Sequence, residues 1–154
     1  IVVEMAPEGL RMDSYPGALG QTIGNLIHNA VLHGFDGRDH GTVRLSAERG
    51  ADGWIVLHVA DDGLGVPATL LERIFEPFVT TKMGQGGTGL GLHISYNAVA
   101  TLLGGALSVH SEVGVGSCFT VRMPPQAPRP GCSDGTTTGT PSPIQAIFPH
   151  TSPA

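Results

Sequence analysis

An α+β two-layer sandwich is the fold class this sequence predicts, and three observations predict it. Apolar residues recur at every third or fourth position in SYPGALGQTIGNLIHNAVLHG (14–34) and again in TGLGLHISYNAVATLLGG (88–105), the spacing of helices that bury one face. The stretches 42–63 and 106–124 each read as two strands joined by a tight turn, that is, as hairpins. Strands paired through hairpins, with helices set among them, fit one sheet covered by helices better than a doubly wound parallel sheet.

The elements follow in order. IVVEMA (1–6) opens as a strand. Ser14, followed by Pro16, marks the start of the first helix, Leu19, Ile23, Leu26, Ile27, Ala30 and Val31 form its buried face, and Gly34 closes it. TVRLSAE (42–48) alternates with period two, GADG (50–53) turns, and WIVLHVADDG (54–63) returns as a more apolar strand. ATLLERIF (68–75) supplies a helical turn or two, whereas EPFVTTKMGQGG (76–87) has no period and reads as a long loop. The second helix ends at Gly104-Gly105, and ALSVHSEVGVGSCFTVRMP (106–124) is the last hairpin. At Pro124 the composition breaks: residues 125–154 are rich in Pro, Gly, Ser and Thr and carry no period, so a disordered tail is expected after a single domain at 1–124. Within the tail, Ile144 to Phe148 is a short apolar patch, read either as a docking segment or as incidental composition.

Composition narrows the function classes. A length of 154 residues suits one domain with a real core and is too short for two of ordinary size. With charged residues at 14%, a net charge of −5 and no Lys/Arg cluster, the footprint of a nucleic-acid binder is absent. Apolar runs such as Trp54 to Ala60 are far too short to cross a bilayer, and no basic region precedes an apolar one at the N-terminus. A soluble, cytoplasmic domain without direct membrane contact is therefore expected. Cys118 and Cys132 show neither C-x-x-C spacing nor a nearby histidine pair of metal type, which fits a reduced setting. A start at a strand without an initiator Met gives the chain the look of a fragment excised from a longer protein.

Chemistry concentrates around GQGGTGLGL (84–92). Its first six residues fit G-x-G-x-x-G, yet polar VTTKM precedes them and no acidic residue stands in place about twenty positions on, so the dinucleotide fingerprint fails. No G-K-[ST] closes the run, so the P-loop fails as well. Glycines leading straight into a helix, whose first N–H groups are free, remain open to two readings: a phosphate cradle or a flexible surface loop. Asn25 and Asn29, four apart on one helix face, are either a helix-packing hydrogen-bond device or hard oxygen ligands of the kind Mg²⁺ accepts beside substrate phosphates. DDGLGVP (61–67) is either a β-turn or a carboxylate placed to accept from an adenine amino group, with Gly63 and Gly65 clearing space for a flat ring.

In this order these stretches resemble the ATP-binding catalytic domain of sensor histidine kinases, a branch of the GHKL ATPase superfamily. NLIHNA looks like the N box, DDGLGVP the first glycine box, IFEPFVTTK the F box and GGTGLGL the second glycine box. The resemblance covers nearly all of 1–124 and implies a mixed, mostly antiparallel sheet with helices on one face. It implies that Asn29 ligates Mg²⁺ with Asn25 beside the phosphates or a metal-bound water, both serving catalysis, and that Asp61 accepts from the adenine while Gly63 and Gly65 shape the base pocket. Phe75 and Phe78 would anchor the start of a lid holding Thr80, Thr81 and Lys82, with Lys82 neutralising phosphate charge. Gly87, Thr88, Gly89, Leu90 and Gly91 would hold the phosphate tail, and the lid is expected to be mobile until phosphates arrive. The implied partners are ATP, a histidine-bearing dimerisation domain of the parent kinase and a response regulator receiver domain.

The sequence also departs from the pattern. Many members carry Lys three residues after the metal-ligating Asn and an aromatic residue next; Leu32 and His33 stand there instead. His33 reads either as a substitute contact to the nucleotide or as a plain helix-end histidine. His28, inside the N box, is expected to face solvent. Related ATPases use a Glu general base where Asn25 stands, which argues against hydrolysis as the main task. A serine kinase of the anti-sigma type, or a non-catalytic nucleotide-binding signalling module, is the alternative.

Overall fold

The computed structural model describes the backbone of residues 2–5 and, in full, residues 10–129. Five strands form one mixed sheet in the spatial order β1-β2-β3-β5-β4: β1 (Val2–Met5), β2 (Thr42–Arg49), β3 (Ile55–Asp61), β4 (Ala106–Glu112) and β5 (Gly116–Met123). Only the β1–β2 pair is parallel; the other three pairs are antiparallel, with Leu45 opposite Val59 and Val59 opposite Phe119. Alternate residues point to opposite faces. Val43, Leu45, Ile55, Leu57, Val59, Leu107, Phe119, Val121 and Met123 are buried, while Arg44, Glu48, Ser108, His110 and Arg122 between them are exposed. One face is thus covered and the other is wet, as expected of a two-layer α+β fold.

The cover is helical. Helix α1 (Pro16–Asn29) buries Thr22 and Leu26, and helix α3 (Gly91–Thr101) buries Ser95 and Val99. Leu26 and Val99, with Ala30 and Leu103, share one core with the sheet. Helix α2 (Ala68–Leu71) is a single turn with no buried residue.

Several boundaries differ from the sequence reading, among them the end of α3 at Thr101 rather than at Gly104, and three of the differences have a physical reason that bears on the site. Ser14 does not cap α1: Tyr15 takes that position, Pro16 fixes the first helical residue, and the Ser14 hydroxyl is buried without a hydrogen-bond partner. After Asn29 the helix widens into a π-helical turn, Ala30–Gly34, closed by the Phe35 N–H donating to the Ala30 carbonyl at 2.9 Å. The wider turn shifts the phase, so Val31 is exposed and Phe35 takes its place in the core. Helix α3 starts at Gly91 rather than Thr88, because Gly89 has φ +67°, a left-handed conformation that no helix accommodates.

Pro125 to Arg129 return to the segment before α1. The Asp13 N–H donates to the Pro125 carbonyl (2.8 Å), the Ala127 N–H to the Asp13 carbonyl (2.9 Å) and the Tyr15 hydroxyl to the Pro128 carbonyl (3.1 Å). Residues 130–154, which hold Cys132, the patch Ile144 to Phe148 and most of the expected tail, lie outside the described residues. Among the described residues no helix is long and apolar enough to cross a membrane, and Cys118 is a free thiol.

Phe119 is 1% exposed at the centre of the covered face. Phe119→Ala should cost about 3–5 kcal/mol in urea unfolding, whereas Arg73→Ala, which breaks only an exposed pair with Glu76, should change stability by less than about 1 kcal/mol.

Candidate functional site

The C-terminal half of α1 and the glycine run before α3 are the two walls of a cleft. Its larger part, about 480 Å³, is lined by Asn25, His28, Asn29, Leu32, His33, Val79, Thr80, Gly86, Gly87, Thr88, Gly89, Leu90, Gly91, Leu92 and Ile94. A smaller part, about 190 Å³, is lined by Asn29, His33, Asp36, Leu64, Gly65, Val66, Pro67, Leu70, Ile74, Val79, Thr80, Thr81, Lys82 and Leu92. Asn29, His33, Val79, Thr80 and Leu92 border both, so the two parts meet at the C-terminal end of α1. The larger part combines the glycine backbone and the two Asn amides with apolar side chains such as Leu32 and Ile94, and the smaller is lined mainly by apolar side chains from Leu64 to Ile74.

Asn25 joins the walls. Its Nδ2 donates to the Gly91 carbonyl (3.1 Å) and to Ser95 Oγ (3.0 Å), fixing the first turn of α3 against α1. With both amide hydrogens used, its Oδ1 is the acceptor available to the cleft. The first backbone bond of α3 runs from the Ile94 N–H to the Leu90 carbonyl (2.8 Å), so the amides before Ile94 belong to a helix N-terminus facing the cleft. Ahead of it the Leu90 N–H donates to Thr88 Oγ1 (3.3 Å). Gly89 holds the loop close: a Cβ there would lie 2.5 Å from the Phe78 backbone, and the Phe78 N–H donates to the Gly89 carbonyl at 2.9 Å.

Asp61 sits at the end of β3 but lines neither part of the cleft. Its Oδ1 accepts from the Gly63 N–H (2.9 Å) and the Ser117 N–H (3.3 Å). Burial nonetheless raises its carboxyl above the usual carboxylate range, outweighing the two amides that lower it. Gly63 is packed behind it; a Cβ would fall 2.5 Å from the Gly34 carbonyl oxygen. Gly65 and Thr81, by contrast, reach the smaller part of the cleft, as does Lys82.

The loop between α2 and α3 is tied at both ends. Phe75 stacks on Tyr96 of α3 with centroids 5.2 Å apart, and the His93 ring hydrogen-bonds to the Phe75 carbonyl at 3.0 Å. Phe78 does not anchor through its ring: with φ +66° the side chain turns outward and is 65% exposed, so only its backbone holds the loop. Further along, His33 Nδ1 and Thr81 Oγ1 share a hydrogen bond (3.0 Å), Thr80 Oγ1 lies 3.5 Å from His33 Nε2, and Lys82 forms an ion pair with Asp36. Burial first, then the charges of Lys82 and His28, holds the His33 imidazole below its ordinary value. His33 is thus a ring bonded to the loop, with its charged form disfavoured by burial. His28 is exposed, as expected, but borders the larger part of the cleft. Asp36 and Ser95 were not singled out by sequence: an acidic residue after a helix and a serine on an apolar face carry no spacing signal of their own. Among the described residues no group of three His, Cys, Asp or Glu could hold a metal ion.

Comparison with known proteins bears on family and fold. Residues 15–127 match the model of the family described as histidine kinase-, DNA gyrase B-, and HSP90-like ATPase. The chain is 46% identical over 113 residues to the two-component sensor PprA of Pseudomonas aeruginosa, covering 71% of this chain and 12% of that protein. It is 40% identical over 109 residues to the sensor protein TorS of Escherichia coli, covering 71% and 11% respectively. The chain therefore spans about a tenth of the length of these curated relatives. Among solved structures, the nucleotide-free catalytic domain of histidine kinase ThkA superposes with a TM-score of 0.67 at 28% identity, covering 81% of this chain and 78% of that one. Full-length ShkA in complex with AMPPNP gives 0.61 at 35% identity, covering 79% and 25%.

The depressed His33 pKa has a sign that can be measured. As pH falls through about 6.5 the unfolded chain binds a proton at this position that the folded chain refuses, so stability falls with acidification; above that pH the contribution vanishes. In His33→Gln the loss of stability between pH 7 and the folded-state value of His33 should be shallower than in wild type, as read from urea midpoints across that range.

Proposed function

The chain belongs to the histidine kinase-, DNA gyrase B- and HSP90-like ATPase family, and within it we propose that residues 1–124 are the catalytic unit of a two-component sensor histidine kinase, followed by a tail at 125–154. In this reading it binds Mg·ATP and gives the γ-phosphoryl group to a histidine on a separate dimerisation domain, for onward transfer to the receiver domain of a response regulator. The observation that carries the reading is the cleft itself: a helix N-terminus and a glycine run on one wall, two Asn side chains on the other, and an apolar recess beside them.

Each part has a physical task. The phosphate tail belongs in the larger part, where Gly87, Thr88, Gly89, Leu90 and Gly91 present backbone close to the ligand and the α3 dipole favours negative charge. The base belongs in the apolar recess beside Gly65; Asp61, at the end of β3 and outside the lining of either part, is the acceptor this reading assigns to the adenine amino group, with Gly63 setting the spacing. Asn29, which borders both parts, would hold Mg²⁺ through its amide oxygen; Asn25 would face the phosphates with its remaining oxygen. When bound, Mg²⁺ supplies neutralisation of phosphate charge, with its other positions filled by water and phosphate oxygens. His33, Thr81 and Lys82 place the loop over the nucleotide. Phosphoryl transfer is mostly positioning and charge stabilisation. A domain that positions ATP and lacks the accepting histidine is therefore half of a reaction, and none of the seven histidines here is assigned that role. The domain is expected to act in the cytoplasm, whether or not the parent protein is anchored in a membrane.

Two outcomes test this. Calorimetric titration with a non-hydrolysable ATP analogue should show Mg²⁺-dependent binding that Asn29→Ala weakens at least about tenfold, a loss of about 1.4 kcal/mol; absence of binding by wild type, or an unchanged Mg²⁺ dependence in the variant, would falsify the site. With γ-labelled ATP the isolated chain should acquire no label, and transfer should appear only when a histidine-bearing dimerisation domain is supplied. Binding without transfer to any such domain would leave a non-catalytic nucleotide-binding module instead.

A further inference from the structure

Lys82 is the only lysine in the chain, and among the described residues it is the only Lys or Arg bordering either part of the cleft. The larger part, where the phosphates belong in the reading above, has no Lys or Arg in its lining; its basic groups are His28 and the His33 ring, which is bonded to the loop threonines. A triphosphate with one divalent cation is still an anion, and an anion in a half-closed cleft needs a positive partner. Lys82 is near at hand: the Thr80 hydroxyl that accepts from its backbone N–H at 3.1 Å belongs to a residue bordering both parts.

The ammonium is already taken. It pairs with the Asp36 carboxylate, and the Lys82 side chain is 17% exposed while that of Asp36 is 50% exposed. Asp36 follows Phe35, which is 6% exposed and rooted in the core, so the carboxylate is presented from a fixed point. Lys82 lies on the loop, next to the turn in which the Gln85 and Gly87 N–H groups donate to its carbonyl.

We propose that Asp36 is a gate residue of the nucleotide site: it holds Lys82 as an internal competitor of the phosphates, and a nucleotide binds by replacing the Asp36 carboxylate as the ammonium's partner. This rests on the nucleotide reading above and deepens it. The exchange is physically cheap in one direction only. A phosphate chain keeps the nearly buried ammonium paired, and the half-exposed carboxylate returns to water. A ligand without phosphates offers no replacement and leaves the pair closed. Affinity is thereby graded by the charge of the ligand's tail.

The test is a four-protein cycle on the 154-residue chain, using wild type, Asp36→Asn, Lys82→Met and the double variant, titrated with Mg²⁺ and a non-hydrolysable ATP analogue and, separately, with adenosine. Asp36 and Lys82 also border the recess for the base, so the gate is read from the difference between the two ligands: Asp36→Asn should tighten the analogue about threefold or more beyond any change for adenosine; Lys82→Met should weaken the analogue; in the Lys82→Met background Asp36→Asn should have no effect. Asp36→Ser should repeat the gain and guards against a fold defect special to Asn. A chain labelled at lysine offers one side-chain ammonium resonance, which should move further on adding the analogue than on adding adenosine. The gate is overturned by an unchanged or weaker affinity in Asp36→Asn, by an equal gain for adenosine, by a gain that persists without Lys82, or by a lysine resonance indifferent to the analogue. If wild type binds the analogue in an Asn29-dependent way while Asp36→Asn is neutral, only the gate falls; if wild type binds no nucleotide, both readings fall.

Discussion

Two hydrogen bonds donated by one side chain set where the cleft can be. Asn25 reaches from α1 to the Gly91 carbonyl and to Ser95 Oγ, and these are the only side-chain bonds between the two helices among the described residues. Each is worth about 1 kcal/mol net in a half-buried setting. Their structural effect is larger than that figure suggests, because they act at the point where the loop becomes a helix. Fixing Gly91 fixes the direction in which the first amides of α3 point, and with it the anion-favouring end of the helix. Loss of the amide would leave the Ser95 hydroxyl, 1% exposed, short of its partner.

The site is built mostly from backbone, and that constraint explains its composition. Backbone amides reach a ligand only where side chains are absent, so Gly86, Gly87, Gly89 and Gly91 lie in the lining together. Glycine loses more freedom on folding than any other residue, and the loop recovers part of that cost through local bonds: the Phe78 N–H to Gly89, and the Gln85 and Gly87 N–H groups to the Lys82 carbonyl. The same economy leaves few charges. Eight Lys and Arg residues are spread over 154 positions, and among the described residues the cleft borders on one of them, so in the proposed reading its attraction for phosphates comes from dipoles, amides and a single ammonium.

Much of this was legible before any coordinates. The period of 14–34 and the alternation in 42–48 gave the covered face, because a helix stripe and a strand face are local patterns that the core reads directly. Asn25, Asn29 and the glycines at 87, 89 and 91 were visible as candidates because their types are unusual where they stand. Asp61 was visible too, yet its placement behind Gly34 and Gly63, with Ser117 supplying an amide, depends on the pairing of β3 with β5, which no local pattern specifies. The ring of Phe78 was misjudged for a similar reason: an aromatic residue in a loop reads as an anchor until a left-handed backbone turns it outward. Asp36 was missed altogether, since its significance exists only in contact with Lys82, 46 positions away.

The π-helical turn ties these levels together. In an α-helix, residues five apart stand about 140° from one another around the axis, so Ala30 and Phe35 could not share a face. Widening the last turn brings both into the core, at 2% and 6% exposure. Leu32 and His33, between them, are thereby carried to the opposite side, where they line the cleft. Core packing at two points thus sets the reach of His33 to Thr80 and Thr81 and the position from which Asp36 meets Lys82. A substitution restoring an ordinary helical turn would repack the core and disconnect the loop in the same step, which is why the irregular turn and the site have to be understood as one feature.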